Sequence, residues 1–151
     1  MSYVEENAAA RDRVLSLVAR LTDAQMALPL ADGWTIGAEL AHLAFWDRVH
    51  TGRLRAALQA GGDLPAPLSL ESTDALNDAG LPGWRSIAGA TAISLFAEAS
   101  SEVDAYLASL TPEIVERIRS AGIPRHVERY RHRTEHGDAI EAALGRLVVA
   151  E

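Results

Sequence analysis

The sequence predicts an all-α fold: a four-helix bundle with a long crossover between the second and third helices and short extra helices. Three observations predict it. Apolar residues recur at helical spacing in four long stretches, Gly and Pro clusters separate those stretches, and no β-alternation of useful length, repeat or low-complexity tract interrupts them. With 151 residues and 48% hydrophobic content, the chain is long enough for one continuous core and reads as a single domain over 1–151.

The elements follow in order. Val14, Leu17, Val18 and Leu21 form an apolar stripe that predicts a first helix from about residue 3 to about residue 21. Thr22 closes it and opens an irregular stretch through Gly33. Thr35 is a candidate N-cap for a long second helix to about Ala60, with Ala38, His42, Phe45, Trp46, Val49, Arg53 and Ala57 facing inward. The Gly61-Gly62 pair stops it. From Pro65 and Pro67 to Gly83, turn signals alternate with a weak helical segment around Asp74-Ala-Leu-Asn-Asp78. Such a segment either lies over a pocket or merely crosses between helices. Phe96, Ala99, Val103, Tyr106, Leu107 and Leu110 define a third long helix that begins between Ile87 and Ala92. Thr111-Pro112 restarts the chain as a short helix, because proline suits the first helical position, and Gly122 ends it. Pro124 opens the fourth long helix, where His132, His136, Ile140, Ala143 and Leu147 lie on one stripe.

Composition narrows the function. The chain has no cysteine, which excludes disulfides, thiolate metal sites and a cysteine nucleophile, so any thiol chemistry uses an external thiol. No stretch approaches the roughly 18 apolar residues of a membrane span, and the amino terminus lacks a signal-like run. The expectation is a cytoplasmic protein without a membrane partner. A formal charge of −7 argues against nucleic acid, whose backbone binds clustered Lys and Arg. Arg117, Arg119, Arg125, Arg129, Arg131 and Arg133 do crowd one region, but Glu113, Glu116, Glu128 and Glu135 are interleaved with them. A solvated mixed-charge surface is the expected reading there, with a pocket for an anionic small molecule as the alternative.

The chemistry concentrates in Arg131-His-Arg-Thr-Glu-His-Gly-Asp138. Histidines four apart on a helix share a face, with Cβ atoms roughly 6 Å apart, so His132 and His136 can converge on one metal ion. His42, in register with apolar neighbours on the second helix, is the candidate third ligand. Three neutral imidazoles with a position left for water are the ligand set of a catalytic site. A buried pair without metal would leave two polar rings needing separate partners.

Other residues carry weaker signals. His50 is expected on the far side of the second helix and His126 near the start of the fourth, both at the surface. Trp46, one turn beyond His42, is a core residue or a pocket wall. Glu135 points about 100° away from His136 and Glu39 sits three residues before His42; both read as exposed helix glutamates, although Glu39 could reach His42. Arg129, three residues before His132, is a candidate for holding a substrate carboxylate or the acidic group of a thiol cofactor. Arg133 stands where the metalloprotease helix has its glutamate base, which disfavours a zincin-like peptidase. The Glu-x-x-His pairs of a di-iron bundle are missing as well.

The run Gly33-Trp-Thr-Ile-Gly-Ala-Glu-Leu-Ala-His42-Leu43, followed after a long gap by His132-Arg-Thr-Glu-His136 and Ile140, resembles the DinB-like, or YfiT-like, metal-binding superfamily. The similarity extends over essentially the whole chain and rests on these two motifs. It implies a four-helix bundle in which one histidine of the second helix and an H-x-x-x-H pair of the last long helix bind a divalent metal. Residue by residue, these are His42, His132 and His136. Related members include mycothiol-dependent maleylpyruvate isomerases and thiol transferases, and the resemblance implies a homodimer. Where many members carry Arg-Gly-Gln after the last histidine, this chain has Gly137-Asp-Ala139.

The resulting expectation is a metal-dependent enzyme whose three-histidine site activates water or a low-molecular-weight thiol, as a hydrolase or thiol transferase. The ion is expected to be zinc or nickel, both compatible with imidazole. Trp46 and Arg129 are the candidate substrate-binding residues. The alternative is a non-catalytic metal-binding or dimeric interaction module.

Overall fold

The computed structural model describes residues 1–148, with the backbone alone at positions 147 and 148, so the expected inward place of Leu147 lies outside the described side chains. Its helices are α1 (Tyr3–Val18), α2 (Asp23–Met26), α3 (Ile36–Ala60), α4 (Leu70–Arg85), α5 (Gly89–Ala108), α6 (Pro112–Ser120) and α7 (Tyr130–Val148), with a 3-10 turn at Pro124–His126. The fold is all-helical; one isolated bridge joins Pro29 and Thr35, and there is no strand among the described residues. No helix among them is long and apolar enough to cross a membrane.

Helix ends follow from local chemistry. Ser2 and Glu5 form a capping box that starts α1. Thr35 Oγ1 accepts from the Ala38 amide at 3.1 Å, satisfying one of the free donors that open α3. Gly61, at φ 64°, ends α3 in the left-handed conformation that glycine adopts without penalty.

The long helices α1, α3, α5 and α7 close a ring in which α3 packs on α5, α5 on α1, α1 on α7 and α7 on α3. This arrangement is compatible with a four-helix bundle. Two apolar clusters fill it. Val14, Val18, Leu40, Leu43, Phe96 and Ile140 dominate one, and Leu54, Val103, Leu107, Ile118 and Val127 the other. A fully buried side chain such as Phe96 or Ile140 contributes about 1.5–3 kcal/mol. Between the clusters each long helix carries polar residues: Asn7 on α1, Asp47 and Thr51 on α3, Ser100 and Asp104 on α5, and Arg133 on α7, all buried.

The structure corrects the sequence reading in four places. Thr22 caps the short helix α2 instead of opening an irregular stretch. The segment after Pro67 forms the sixteen-residue helix α4, with Pro82 inside it. Trp84 is its one buried residue, so it lacks the apolar stripe that would outweigh its breaker residues. Pro124 opens the 3-10 turn, and α7 begins at Tyr130. On α3, Leu40, Leu43, Asp47 and Leu54 are buried while Phe45, Val49, Arg53 and Ala57 are half-buried, because α4, α5 and α7 all pack against this helix.

Candidate metal centre

The packing of α3 against α7 brings His42 to the His132 and His136 pair. His42 Nε2 lies 3.1 Å from His132 Nε2, and His136 Nε2 lies 3.0 Å from the same atom. All three ligand atoms fall within 4.8 Å of one another, so the group could hold a metal ion. Two nitrogens bonded at about 2.0–2.1 Å to a common ion are separated by about 2.9–3.4 Å for angles of about 90–110°. The two separations at His132 fall in that range and the third is within 4.8 Å, so the residues fit a divalent ion.

The outer nitrogens differ. Glu39 Oε2 contacts His136 Nδ1, and the carboxylate is buried, at 1% exposed. A carboxylate facing Nδ1 favours a proton there and leaves the Nε2 lone pair for a ligand bond, although the contact lacks hydrogen-bond geometry and Glu39 Oε2 has no hydrogen-bond partner among the described residues. Glu39 was expected to be an exposed residue near His42; instead it reaches across to the neighbouring helix. His132 Nδ1 faces Arg129 Nη2 at 3.3 Å. A guanidinium only donates, so in this contact the His132 proton belongs on Nε2. A His132 that ligates through Nε2 carries its proton on Nδ1 and cannot keep that contact. His42 Nδ1 has no hydrogen-bond partner among the described residues, and its ring is held instead by Trp34 and Trp84, edge-on at 5.0 and 5.3 Å.

Burial sets the protonation of these rings. It pushes His42 down to about 3, with His136 and Arg129 adding to the effect. His132 is likewise held well below the ordinary value, by burial first and then by Arg129. Both are therefore neutral near pH 7, the form that binds metal.

A cavity of about 620 Å³ opens on the three rings. Trp46 serves as core and wall at once: it is 4% exposed, lines the cavity, and donates from Nε1 to Asn77 Oδ1 of α4 at 2.9 Å. Pro67, Leu68, Thr73 and Asn77 line the cavity, so part of the segment from 65 to 83 borders a pocket. His50 and His126 line it too, contrary to the expectation of surface positions. Eight residues of helix turn 80° beyond two full turns, which leaves His50 on the same side as His42. His126 is 2% exposed because the 3-10 turn folds it against His50.

A family model described as the DinB superfamily matches residues 6–143. The chain belongs to the DinB superfamily. Comparison with curated proteins and with solved structures gives no match.

In this DinB-superfamily chain the candidate metal centre adjoins a buried ion-pair ladder that the sequence reading missed. Arg129 Nε donates to Asp47 Oδ1 at 2.8 Å, and Arg133 Nη2 to Asp47 Oδ2 at 2.7 Å. Arg133 Nη1 continues to Asp104 Oδ1 at 2.8 Å, and Arg11 Nη1 meets Asp104 Oδ2 at 3.0 Å. Arg129 and Arg133, at 1% and 0% exposed, are thus core residues and not part of a solvated surface. Two carboxylates from other helices make that burial tolerable. Arg129 also lines the cavity, with Nη1 donating to the Arg125 carbonyl oxygen.

Proposed function

We propose that this chain is a metal-dependent enzyme, of hydrolase or thiol-transferase type, that uses His42, His132 and His136 to activate water or a low-molecular-weight thiol. The observation that carries this reading is the convergence of three imidazole Nε2 atoms, 3.0 and 3.1 Å apart in sequence of contact, at a cavity large enough for a small molecule. When bound, a divalent ion such as zinc or nickel supplies positive charge that lowers the pKa of water toward about 7 and stabilises a thiolate.

The chain's own groups prepare the site. Three neutral imidazoles add no negative charge, so the field at the reacting position stays strong. The Glu39 carboxylate lies against His136 Nδ1, where its charge favours the tautomer that leaves Nε2 free. Trp46 forms an apolar wall against which a substrate can pack. When His132 ligates, Arg129 Nη2 gives up its contact with Nδ1, and that N–H becomes available to a substrate carboxylate or to the acidic group of a thiol.

Inductively coupled plasma mass spectrometry on protein purified without immobilised-metal resin tests the ligand set. Near-stoichiometric metal is expected in the parent chain and its loss in His132→Ala; equal metal in both removes the proposed ligands. Metal-loaded protein is then assayed with thiols and electrophilic acceptors and with hydrolysable esters and amides. Metal binding without turnover across these panels leaves a non-catalytic metal-binding module.

A further inference from the structure

The cavity has two chemically different ends. His42, Trp46 and His50 stand at i, i+4 and i+8 on α3 and line one wall over about 12 Å of helix rise. Ring centroids step from His42 to Trp46 over 6.4 Å, to His50 over 5.6 Å, and to His126 over 4.9 Å. The lining carboxylates gather at the His42 end: Glu39 touches His136, Glu135 precedes it, and Asp32 accepts from the amide of Trp34, whose ring packs on His42. At the other end the lining groups are His50, Arg125 and His126, with Arg129 between the two regions.

Among the described residues, that second end holds positive charge without a matching anion. Asp47 is taken up by Arg129 and Arg133, and Glu128 by Arg119 and Arg131. His50 Nδ1 and Arg53 Nη1 are buried without hydrogen-bond partners among the described residues. Burial, reinforced by Arg129, His126, Arg53 and Arg125, pushes the His50 imidazole down to about 2. Arg125 itself is exposed at the cavity edge, where its guanidinium has freedom to turn inward.

We propose that the His50, Arg125 and His126 end is an oxyanion subsite, taking the carboxylate or phosphate of a small molecule whose reacting group reaches the three histidines. The guanidinium of Arg125 supplies paired N–H donors of the kind that carboxylate and phosphate accept in bidentate fashion. His126 Nδ1 lies 3.3 Å from the His50 carbonyl oxygen, which only accepts, so the neutral His126 ring keeps its proton there and serves as a wall of the subsite, while the His50 ring adds an N–H donor beside Arg125. This inference rests on the reading of the cavity as a substrate site, and it adds a substrate class: an elongated molecule whose anionic end lies beside His50, about two helical turns along α3 from His42.

The test uses the full chain after chelator treatment, so that no metal competes for the anion. Glutarate, inorganic phosphate and the neutral diamide glutaramide are titrated while the His50 and His126 ring resonances are followed by nuclear magnetic resonance. Glutarate or phosphate is expected to shift both rings saturably, and glutaramide to leave them unmoved. Arg125→Gln is expected to raise the Kd at least about tenfold, with partial recovery in Arg125→Lys. The same binding is expected in His132→Ala, which separates failure of the metal reading from failure of the subsite. Absence of saturable shifts with both anions, equal binding of glutaramide, or an unchanged Kd in Arg125→Gln overturns the proposal.

Discussion

Glu39 of α3 and His136 of α7 form a buried carboxylate–imidazole contact, so the outer nitrogen of one candidate metal ligand is oriented from the neighbouring helix. Glu39→Gln keeps the shape and removes the charge. Metal affinity is expected to fall by about 10–100-fold, the usual consequence of losing a partner that orients a ligand. Competition with a chelating dye measures it, with circular dichroism to verify that the helices persist. Equal affinity in the variant would show that His136 orients itself without the carboxylate.

The histidine site was legible in the sequence because the geometry of one helix places His132 and His136 together, whatever surrounds them. His42 needed the further expectation that the second and last long helices are neighbours. The groups around the site were not legible, because their partners are distant in sequence: Glu39 answers to His136, and Arg129 and Arg133 answer to Asp47. A charged residue read alone belongs at the surface, and only the fold supplies the opposite charge that lets it sit inside. For α4 the obstacle was different. Its Gly and Pro residues carry a local signal against helix, and its contacts with α3 carry none that a sequence window contains.

Asp47 joins two buried arginines with its two oxygens, and its removal leaves both without that partner. Asp47→Ala is expected to cost about 3–5 kcal/mol, the range for breaking a buried pair from one side. Asp138→Ala, which breaks a pair with Arg13 at the surface, is expected to cost far less. Urea unfolding of the two variants beside the parent chain makes the comparison. Equal losses would mean that the ladder contributes no more than an exposed ion pair.

Four rings, His42, His50, His126 and His132, are held below the ordinary histidine value, in each case by burial first. In the unfolded chain they take up protons near pH 6.5, whereas the folded chain resists until far lower pH, about 3 for His42. The unfolded state therefore binds more protons below about pH 6.5. Stability of the metal-free protein is expected to be full above that value and to fall as pH drops toward about 3, with a slope of up to about 1.4 kcal/mol per pH unit for each ring. Urea unfolding between about pH 7.5 and about pH 5.5 reads the slope above the range where most carboxylates titrate. His50→Gln is expected to flatten it, and an unchanged slope in that variant would count against a neutral buried ring at this position.

Gly137 follows His136 inside α7, where helix propensity alone favours alanine by about 1 kcal/mol. The approach of α1 opposes that preference. A Cβ at residue 137 would lie 3.2 Å from Arg13 Nη1 and 3.3 Å from Val14 Cγ2. The Arg13 side chain is partly exposed and can move, but Val14 is fully buried in the core and yields only if α1 shifts away from α7. Gly137→Ala is therefore expected to lower the urea midpoint, opposite to the propensity term. Because His136 is the adjacent residue, the same shift is expected to disturb the 3.0 Å approach of its Nε2 to His132 and to weaken metal binding in parallel. A raised midpoint with unchanged metal affinity would show that the α1 and α7 interface has room to relax, and that glycine is not required there for packing.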